Sequence, residues 1–286
     1  MINNLQPSNV YSGFFLAFAL SYHGLLKKKL SKSGALAAFF VGLFSFMSSP
    51  KSGILLVQFY YLGSKATKIG SAKKDRLDSS SLDSGVRGAS QVLACSILGT
   101  FCAVLESFVF GSGSVQGGIL WRAQVAHYSC CLGDTFASEL GMLGGGGTFS
   151  IVPPFKRVPR GANGGVSFAG FVWSAVGGGL IGTMAGVGEQ IGRGGLTSGE
   201  ASKGVIAMTV FGGVVGLFGS VVDSILGATV QPTYYDKEKR CIVKSHSSKS
   251  VIHLSGLHIL SNAQVNLVSV LISMIFGTII GEHFQR

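Results

Sequence analysis

Charged residues are scarce in this 286-residue chain, where Asp, Glu, Lys and Arg together make up only 12%. A soluble domain carries about 25% of them, so the composition argues against a soluble enzyme. Hydrophobic residues make up 47% of the chain, and the mean hydropathy is +0.47. The 43 glycines suit helices that approach one another closely. The composition therefore predicts an all-α, polytopic integral membrane protein.

Sequence signals for processing and cross-linking are also missing. The five cysteines form no Cys-x-x-Cys pair, and there is no Asn-x-Ser/Thr sequon and no lipidation signal. No basic stretch precedes the first apolar run, which argues against a cleaved signal or transit peptide. We therefore expect an endomembrane location, the endoplasmic reticulum by default, rather than a plastid.

Eight apolar runs mark candidate membrane spans. The second and third are short, so they could be two tilted spans or one re-entrant hairpin. We predict one integral membrane domain over residues 1–286 with about eight transmembrane segments. Their approximate ranges are 10–26, 33–47, 54–63, 88–110, 118–140, 166–187, 204–226 and 265–281.

Lys and Arg are distributed unevenly between the loops. Alternate loops, beginning after the first span, hold 18 of them, and the loops of the other side hold five. The positive-inside rule places the richer loops in the cytoplasm, at about 64–87, 142–165 and 228–264. The net charge of +11 then reflects topology and anionic lipid, and we expect the lipid bilayer, not nucleic acid, as a partner.

Two candidate spans end in carboxylates. The fifth closes with the run Gly133 to Gly141, which contains Asp134 and Glu139, and the seventh closes with Asp223 in the run 221–227. A carboxylate in a membrane segment is costly unless it is paired, bound to a metal or placed in a wet cavity. Both runs end on the same predicted side, so we predict a single site. A polar helix end that anchors a span at the interface is the simpler alternative, and we interpret Glu106 that way.

Carboxylates beside hydroxyl groups suit a hard cation. Mg²⁺ takes one or two carboxylates together with substrate phosphates and water. The basic loop residues Lys65, Lys68 and Lys156 could contact phosphates, and the glycine-rich run 161–165 could present backbone N–H groups to them. These are the components of a phosphoryl-transfer site. Lysines beside a span are also ordinary determinants of topology.

Five motifs occur in order along nearly the whole chain. They are Gly-Ser-Lys-Ala-Thr-Lys (63–68), Gly-Asp-Thr-Phe-Ala-Ser-Glu-Leu-Gly (133–141), Lys-Arg-Val-Pro-Arg-Gly-Ala-Asn-Gly-Gly-Val (156–166), Asp-Ser-Ile-Leu-Gly-Ala-Thr-Val-Gln (223–231), and Asn262 with Val-Asn-Leu (265–267). Together they resemble the transmembrane protein 19 family, which is similar to the plant phytyl-phosphate kinase and, more remotely, to CTP-dependent polyprenol and phytol kinases. The resemblance implies a helical membrane protein that phosphorylates an isoprenyl phosphate, with CTP or another NTP and Mg²⁺.

The resemblance and the residue types together assign roles. Asp134 and Asp223 would hold Mg²⁺, and Glu139 would orient a ligand or the motif, so these three are the predicted catalytic residues. The lipid tail would lie between the sixth and seventh spans. The predicted nucleotide- and phosphate-binding residues are Lys65, Lys68, Ser138, Lys156, Asn163, Gly164, Gly165, Ser224, Gln231, Asn262 and Asn266.

Three positions depart from the family pattern. Phe136 stands where Trp is usual, Ala162 where Thr is usual, and Cys95 where Asn is common, although Arg87 and Gln91 are kept nearby. The hydroxyl missing at position 162 weakens the case for a phosphate contact there.

A non-catalytic transporter or assembly factor is the rival hypothesis. Transporters also build ion sites where polar helix ends meet across an internal repeat. The pattern Ser-x-x-Gly occurs at both 138–141 and 224–227, which is compatible with such a repeat.

Overall fold

The computed structural model describes residues 7–77, 86–195, 199–243 and 249–284. Helices dominate this part of the chain, as predicted. In order they are α1 (Pro7–Leu26), α2 (Lys32–Ser48), α3 (Pro50–Lys68), α4 (Ser71–Leu77), α5 (Ala89–Ala94), α6 (Ile97–Leu105), α7 (Val115–Glu139), α8 (Phe168–Gly192), α9 (Gly199–Val230) and α10 (Asn262–Ile280).

Three helices among the described residues are long and apolar enough to cross a membrane. They are α8, α9 and the segment Asn262–Phe284, which joins α10 to a terminal 3₁₀ turn. The segments Val10–Leu26, Lys32–Ser48 and Ile97–Phe110 are apolar but shorter. The helical architecture is confirmed, whereas eight complete crossings are not.

The short second and third runs form two separate helices. Ser49 ends α2 and caps α3, because its hydroxyl accepts a hydrogen bond from the Ser52 N–H at 3.2 Å. Pro50 occupies the first position of α3, where a missing N–H costs nothing. The fourth run is divided into α5 and α6 at Cys95 and Ser96, and a π-helical turn, Glu106–Phe110, extends α6.

Helix α7 is the centre of the bundle. It packs against α3, α6, α8, α9 and α10. Every residue from 121 to 133 is buried, among them the polar Gln124, His127 and Ser129. A helix surrounded by protein does not need an apolar surface towards lipid, which explains why this segment is the least hydrophobic of the predicted spans.

Glycines let α7, α8 and α9 approach at backbone distance. A Cβ atom at Gly178 of α8 would lie 2.8 Å from the Cα of Gly216 of α9, and a Cβ at Gly133 of α7 would lie equally close to that same Cα. Close backbone packing of this kind is typical of small-residue stripes in membranes. It leaves no space for an isoprenyl chain between the sixth and seventh predicted spans, so the predicted position of the tail is wrong.

The polar loops contain β structure, so the all-α prediction needs a correction. Within the predicted loop 228–264, three antiparallel strands form a sheet in which Thr233–Asp236 lies between Cys241–Val243 and Val251–Ser255. The run Thr-Tyr-Tyr favours a strand, and the Asp236 carboxylate turns the chain by accepting hydrogen bonds from the N–H groups of Glu238 and Lys239. The strands are β1 (Phe149–Ser150), which pairs with β2 (Gly165–Val166), and β3 (Thr233–Asp236), β4 (Cys241–Val243) and β5 (Val251–Ser255).

Candidate functional site

Several helix ends meet around one large cavity, here called the polar cavity. The C-terminal ends of α7 and α9, the first turns of α5 and α10 and the glycine-rich loop before α8 line it. It encloses about 1690 Å³ of empty space, including the part open to its surroundings. Eleven of the fourteen predicted site residues line this cavity: Asp134, Ser138, Glu139, Asn163, Gly164, Gly165, Asp223, Ser224, Gln231, Asn262 and Asn266.

The carboxylates of the two aspartates accept few hydrogen bonds from the described residues. Ser220 of α9 donates to Asp134 over 3.4 Å, and Ser269 of α10 donates to Asp223 over 3.1 Å. With its amide nitrogen turned towards Asp223, Asn266 also donates to that carboxylate over 3.3 Å. Among the described residues no cationic side chain forms an ion pair with either aspartate. Two half-buried carboxyl groups therefore face the same cavity, and neither has an ion-pair partner among the described residues.

The contact between Ser220 and Asp134 joins α9 to α7. Ser220 lies three residues before Asp223, so the two side chains share one face of α9. Below them, Gly133 and Gly216 let the two helices touch. The close packing of the helices thus fixes where both carboxylates lie.

Glu139 has a different environment from the aspartates. It forms an ion pair with Lys74, and the Lys74 ammonium also donates to the carbonyl oxygens of Ala66 at 3.2 Å and Thr67 at 2.7 Å. Lys74 is only 5% exposed. The pair therefore fastens the C-terminal turn of α3 to the end of α7, and Glu139 holds the motif in position with its own charge already balanced.

The three predicted lysines lie outside the lining of the polar cavity. Lys65, Lys68 and Lys156 are exposed, and the Lys65 ammonium lies 4.5 Å from the centre of the Tyr61 ring. The cationic side chains that do line the cavity, within the described ranges, are Arg87 and Arg160.

The two arginines differ in what they contact. Arg160 donates to the carbonyl oxygens of Met142 at 3.0 Å and Gly146 at 2.7 Å, so it fastens its own loop. The backbone of Arg87 pairs with the segment before α2, and no described residue accepts a hydrogen bond from its guanidinium group. Arg87 is therefore the cation best placed to meet an anionic ligand. From the sequence alone, Arg87 counts only among the loop cations that set topology. Because the family pattern keeps Arg87 together with Gln91, that pattern could have identified it as a candidate site residue.

The glycine-rich loop forms a wall of the cavity. The Asn163 amide donates to the Pro232 carbonyl over 3.0 Å, and the Asn163 backbone N–H donates to the Thr233 hydroxyl over 3.2 Å. Gly164 has a φ of +72°, and a Cβ there would lie 2.8 Å from the Cα of Ala228. The Gly165 N–H bonds to the Ala162 carbonyl. The Ala162 N–H also bonds to the Pro159 carbonyl, so three of the five N–H groups in the run 161–165, which were expected to cradle phosphate, are used within the protein.

The remaining predicted residues close the rim. Gln231 donates to the side-chain oxygen of Asn262 over 3.4 Å, which links the end of α9 to the start of α10. The Ser138 hydroxyl donates to the Thr135 carbonyl of its own helix over 3.1 Å. Ser224 lies beside Asp223 on the cavity lining.

Comparison with known proteins identifies the family. The chain matches the family described as integral membrane protein DUF92 over residues 15–274. The protein belongs to the DUF92 family. It is therefore an integral multi-pass membrane protein, and the family predicted from the five motifs is confirmed.

The relatives cover most of this DUF92 chain. It is 32% identical to Protein PGR of Arabidopsis thaliana over 91% of this chain and 92% of that protein. It is 31% identical to Protein VTE6, chloroplastic, also of Arabidopsis thaliana, over 75% of this chain and 59% of that protein. An uncharacterized membrane protein of Synechocystis is 31% identical over 72% and 73%, respectively. No solved structure matches the chain.

The names of the relatives bear on location. Of these relatives, VTE6 carries the word chloroplastic in its name. The endomembrane location expected for this DUF92 protein is therefore not supported.

Proposed function

We propose that this protein transfers a phosphoryl group from CTP or another nucleoside triphosphate to an isoprenyl monophosphate in the polar cavity. The observation that carries the proposal is the pair Asp134 and Asp223. They come from separate helices, line one cavity and have only hydroxyl and amide partners among the described residues. Half-buried carboxylates in this state are suited to holding a cation that is shared with a phosphorylated substrate.

The residues fit Mg²⁺ better than a metal held by protein ligands alone. No group of three or more His, Cys, Asp or Glu side chains in the described ranges could hold a metal. Mg²⁺ does not need such a group, because it keeps several waters and takes phosphate oxygens as ligands. Asp134 and Asp223 would hold it, and when bound it would neutralise charge on the phosphates.

The reaction is an in-line displacement at the γ-phosphorus. An oxygen of the isoprenyl monophosphate forms a bond to the γ-phosphorus while the bond from that phosphorus to the β-phosphate bridging oxygen breaks. The products are an isoprenyl diphosphate and a nucleoside diphosphate. Positioning and charge stabilisation supply most of the catalysis in such reactions. Arg87 would neutralise a phosphate, and Glu139, held by Lys74, would keep the end of α7 in register.

An activity assay tests the proposal. Purified protein in lipid nanodiscs would be incubated with geranylgeranyl monophosphate, Mg²⁺ and γ-labelled CTP, ATP, GTP or UTP, and labelled diphosphate would be measured. We expect Mg²⁺-dependent product, and none above background from Asp134→Asn or Asp223→Asn. Glu200→Gln is the matched control, because this exposed carboxylate lies in the first turn of α9, at the far end from Asp223.

Two results would reject phosphoryl transfer. One is folded wild-type protein that makes no diphosphate from any of the four nucleotides. The other is equal activity in the two aspartate variants and the control. Flux of an ion or solute through proteoliposomes without nucleotide would favour the non-catalytic role instead.

A further inference from the structure

A second cavity lies beside the polar one, between α1, α2, α3 and α5. We call it the apolar crevice. It encloses about 700 Å³ of empty space, including the part open to its surroundings. Aliphatic side chains make up much of its lining, among them Leu20, Ala38, Val41, Leu56, Val57 and Val92.

The two cavities meet at the start of α5. Phe59, Arg87, Gln91 and Cys95 line both of them. The Arg87 and Gln91 side chains are thus the polar groups at the junction, and the polar cavity beyond contains Asp134 and Asp223. A ligand with a phosphate at one end and a hydrocarbon chain at the other matches this order of surfaces.

Away from the junction, the crevice offers few groups that could bind a polar ligand. The Ser21 hydroxyl donates to the Phe18 carbonyl over 3.1 Å, and the Ser96 hydroxyl donates to the Val92 carbonyl over 2.5 Å. Each hydroxyl is thus satisfied by a backbone carbonyl three or four residues earlier in the chain. Tyr60 is the exception, because it lines the crevice and its buried hydroxyl has no partner among the described residues. Apart from that hydroxyl, the surface is suited to a hydrocarbon chain.

We propose that the apolar crevice binds the isoprenyl chain of a lipid monophosphate, with the phosphate beside Arg87 and facing the two aspartates. This inference rests on the proposed function for the reaction that the phosphate undergoes. The chain is thus placed in the apolar crevice and not between α8 and α9, where the glycine contacts leave no space.

Photolabelling of the wild-type protein tests the position of the chain. A geranylgeranyl monophosphate analogue with a benzophenone at the far end of its chain would be bound in nanodiscs without nucleotide. After irradiation the labelled peptides would be identified by mass spectrometry. We expect label on α1, α2 or α3 at crevice residues, with competition by unlabelled geranylgeranyl monophosphate. Label confined to α8–α10, or label that is not competed, would overturn the proposal.

A variant that fills the crevice gives an independent measurement. Ala38→Phe places a ring in the lining, whereas Leu36→Phe places one on the same helix at a position that is 60% exposed. Because steric mismatch in an apolar pocket costs roughly tenfold or more in recognition, we expect Ala38→Phe to weaken geranylgeranyl monophosphate binding about tenfold. Binding of dimethylallyl monophosphate, whose five-carbon chain fills less of the crevice, should weaken less. Leu36→Phe should change neither.

Equal weakening of both ligands by Ala38→Phe, or no weakening of the long one, would count against the crevice. Should Ala38→Phe fail to fold, Val57→Phe fills the same crevice from α3. The two proposals fail separately. Competed label in the crevice without diphosphate formation would support the chain site and reject the kinase, whereas diphosphate formation with label elsewhere would reject only the chain site.

Discussion

Carboxylates at the two ends of the helix bundle differ in whether they form an ion pair with a cation of the protein. At the end where α3 and α7 begin, Glu106 is only 1% exposed, and it accepts hydrogen bonds from Lys51 at 2.8 Å and from Gln124 at 2.6 Å. Ser52 in turn donates to Gln124 over 2.6 Å. Glu106 is therefore buried inside the protein and paired with a cation of the protein.

At the other end, Asp134 and Asp223 have only hydroxyl and amide partners and border a large cavity. An acid whose charge is already balanced inside the protein holds helices together and has little left to offer a ligand. A carboxylate without an ion-pair partner in the protein can instead bind a cation that enters the cavity. The comparison therefore predicts loss of function at one end and loss of stability at the other.

The largest effect should follow substitution of the aspartates. Asp134→Asn and Asp223→Asn remove the charges that would hold a cation, so we expect the phosphoryl-transfer rate to fall by about 10²–10³-fold or more. Neither change breaks an ion pair, so the midpoint of thermal unfolding should stay close to that of the wild type. If the midpoint fell as far in these variants as in Glu106→Ala, the proposed difference between the two ends would be wrong.

Glu106→Ala should produce the opposite result. It leaves Lys51 and Gln124 without their acceptor, and breaking a buried pair costs about 3 kcal/mol when one partner keeps some solvent contact; Lys51 is 29% exposed. Unfolding in detergent, followed by intrinsic fluorescence, measures the loss. The double variant Lys51→Met with Glu106→Met should recover part of it. Failure of the double variant to recover any stability would mean that packing, rather than pairing, accounts for the cost.

Arg87→Ala should have a smaller, functional effect. Losing one charge-assisted contact to a phosphate costs about 1.5–3 kcal/mol, so we expect KM for the isoprenyl monophosphate to rise about 10- to 100-fold. The exposed Lys28, at the same end of the bundle but outside both cavity linings, supplies the control Lys28→Ala. An unchanged KM in Arg87→Ala would remove this arginine from the site.

The smallest effect should come from the pair that fixes the end of α7. Glu139→Gln keeps a hydrogen-bond acceptor for Lys74 but removes the charge, so we expect a stability loss of about 1 kcal/mol. Calorimetry of the variant would measure it. Lys74→Met should cause a smaller further loss of stability in the Glu139→Gln variant than in the wild type, because both changes act on one contact.

The sequence predicts the helical bundle and one cluster of acids because both leave local signals. A carboxylate at the end of an apolar run, as at Asp134 and Asp223, is visible without coordinates. The pairing of Lys74 with Glu139 is not visible, because it depends on how α4 folds back against α7. Arg87 was missed for a related reason: a cation in a polar loop indicates topology unless its three-dimensional neighbours are known. The sheet β3–β5 escaped prediction because its strands are short and alternate with charged turns.

The position of α7 at the centre of the bundle has a consequence for biogenesis. A segment with buried Gln124 and His127 is too polar to partition into the bilayer by itself. It should leave the insertion machinery only when α3 and α6, already made, and α8, emerging next, are present to surround it. A ribosome stalled where α7 has left the exit tunnel but α8 is still inside it should therefore hold a chain whose last emerged helix is accessible to aqueous reagents, and emergence of α8 and α9 should protect it.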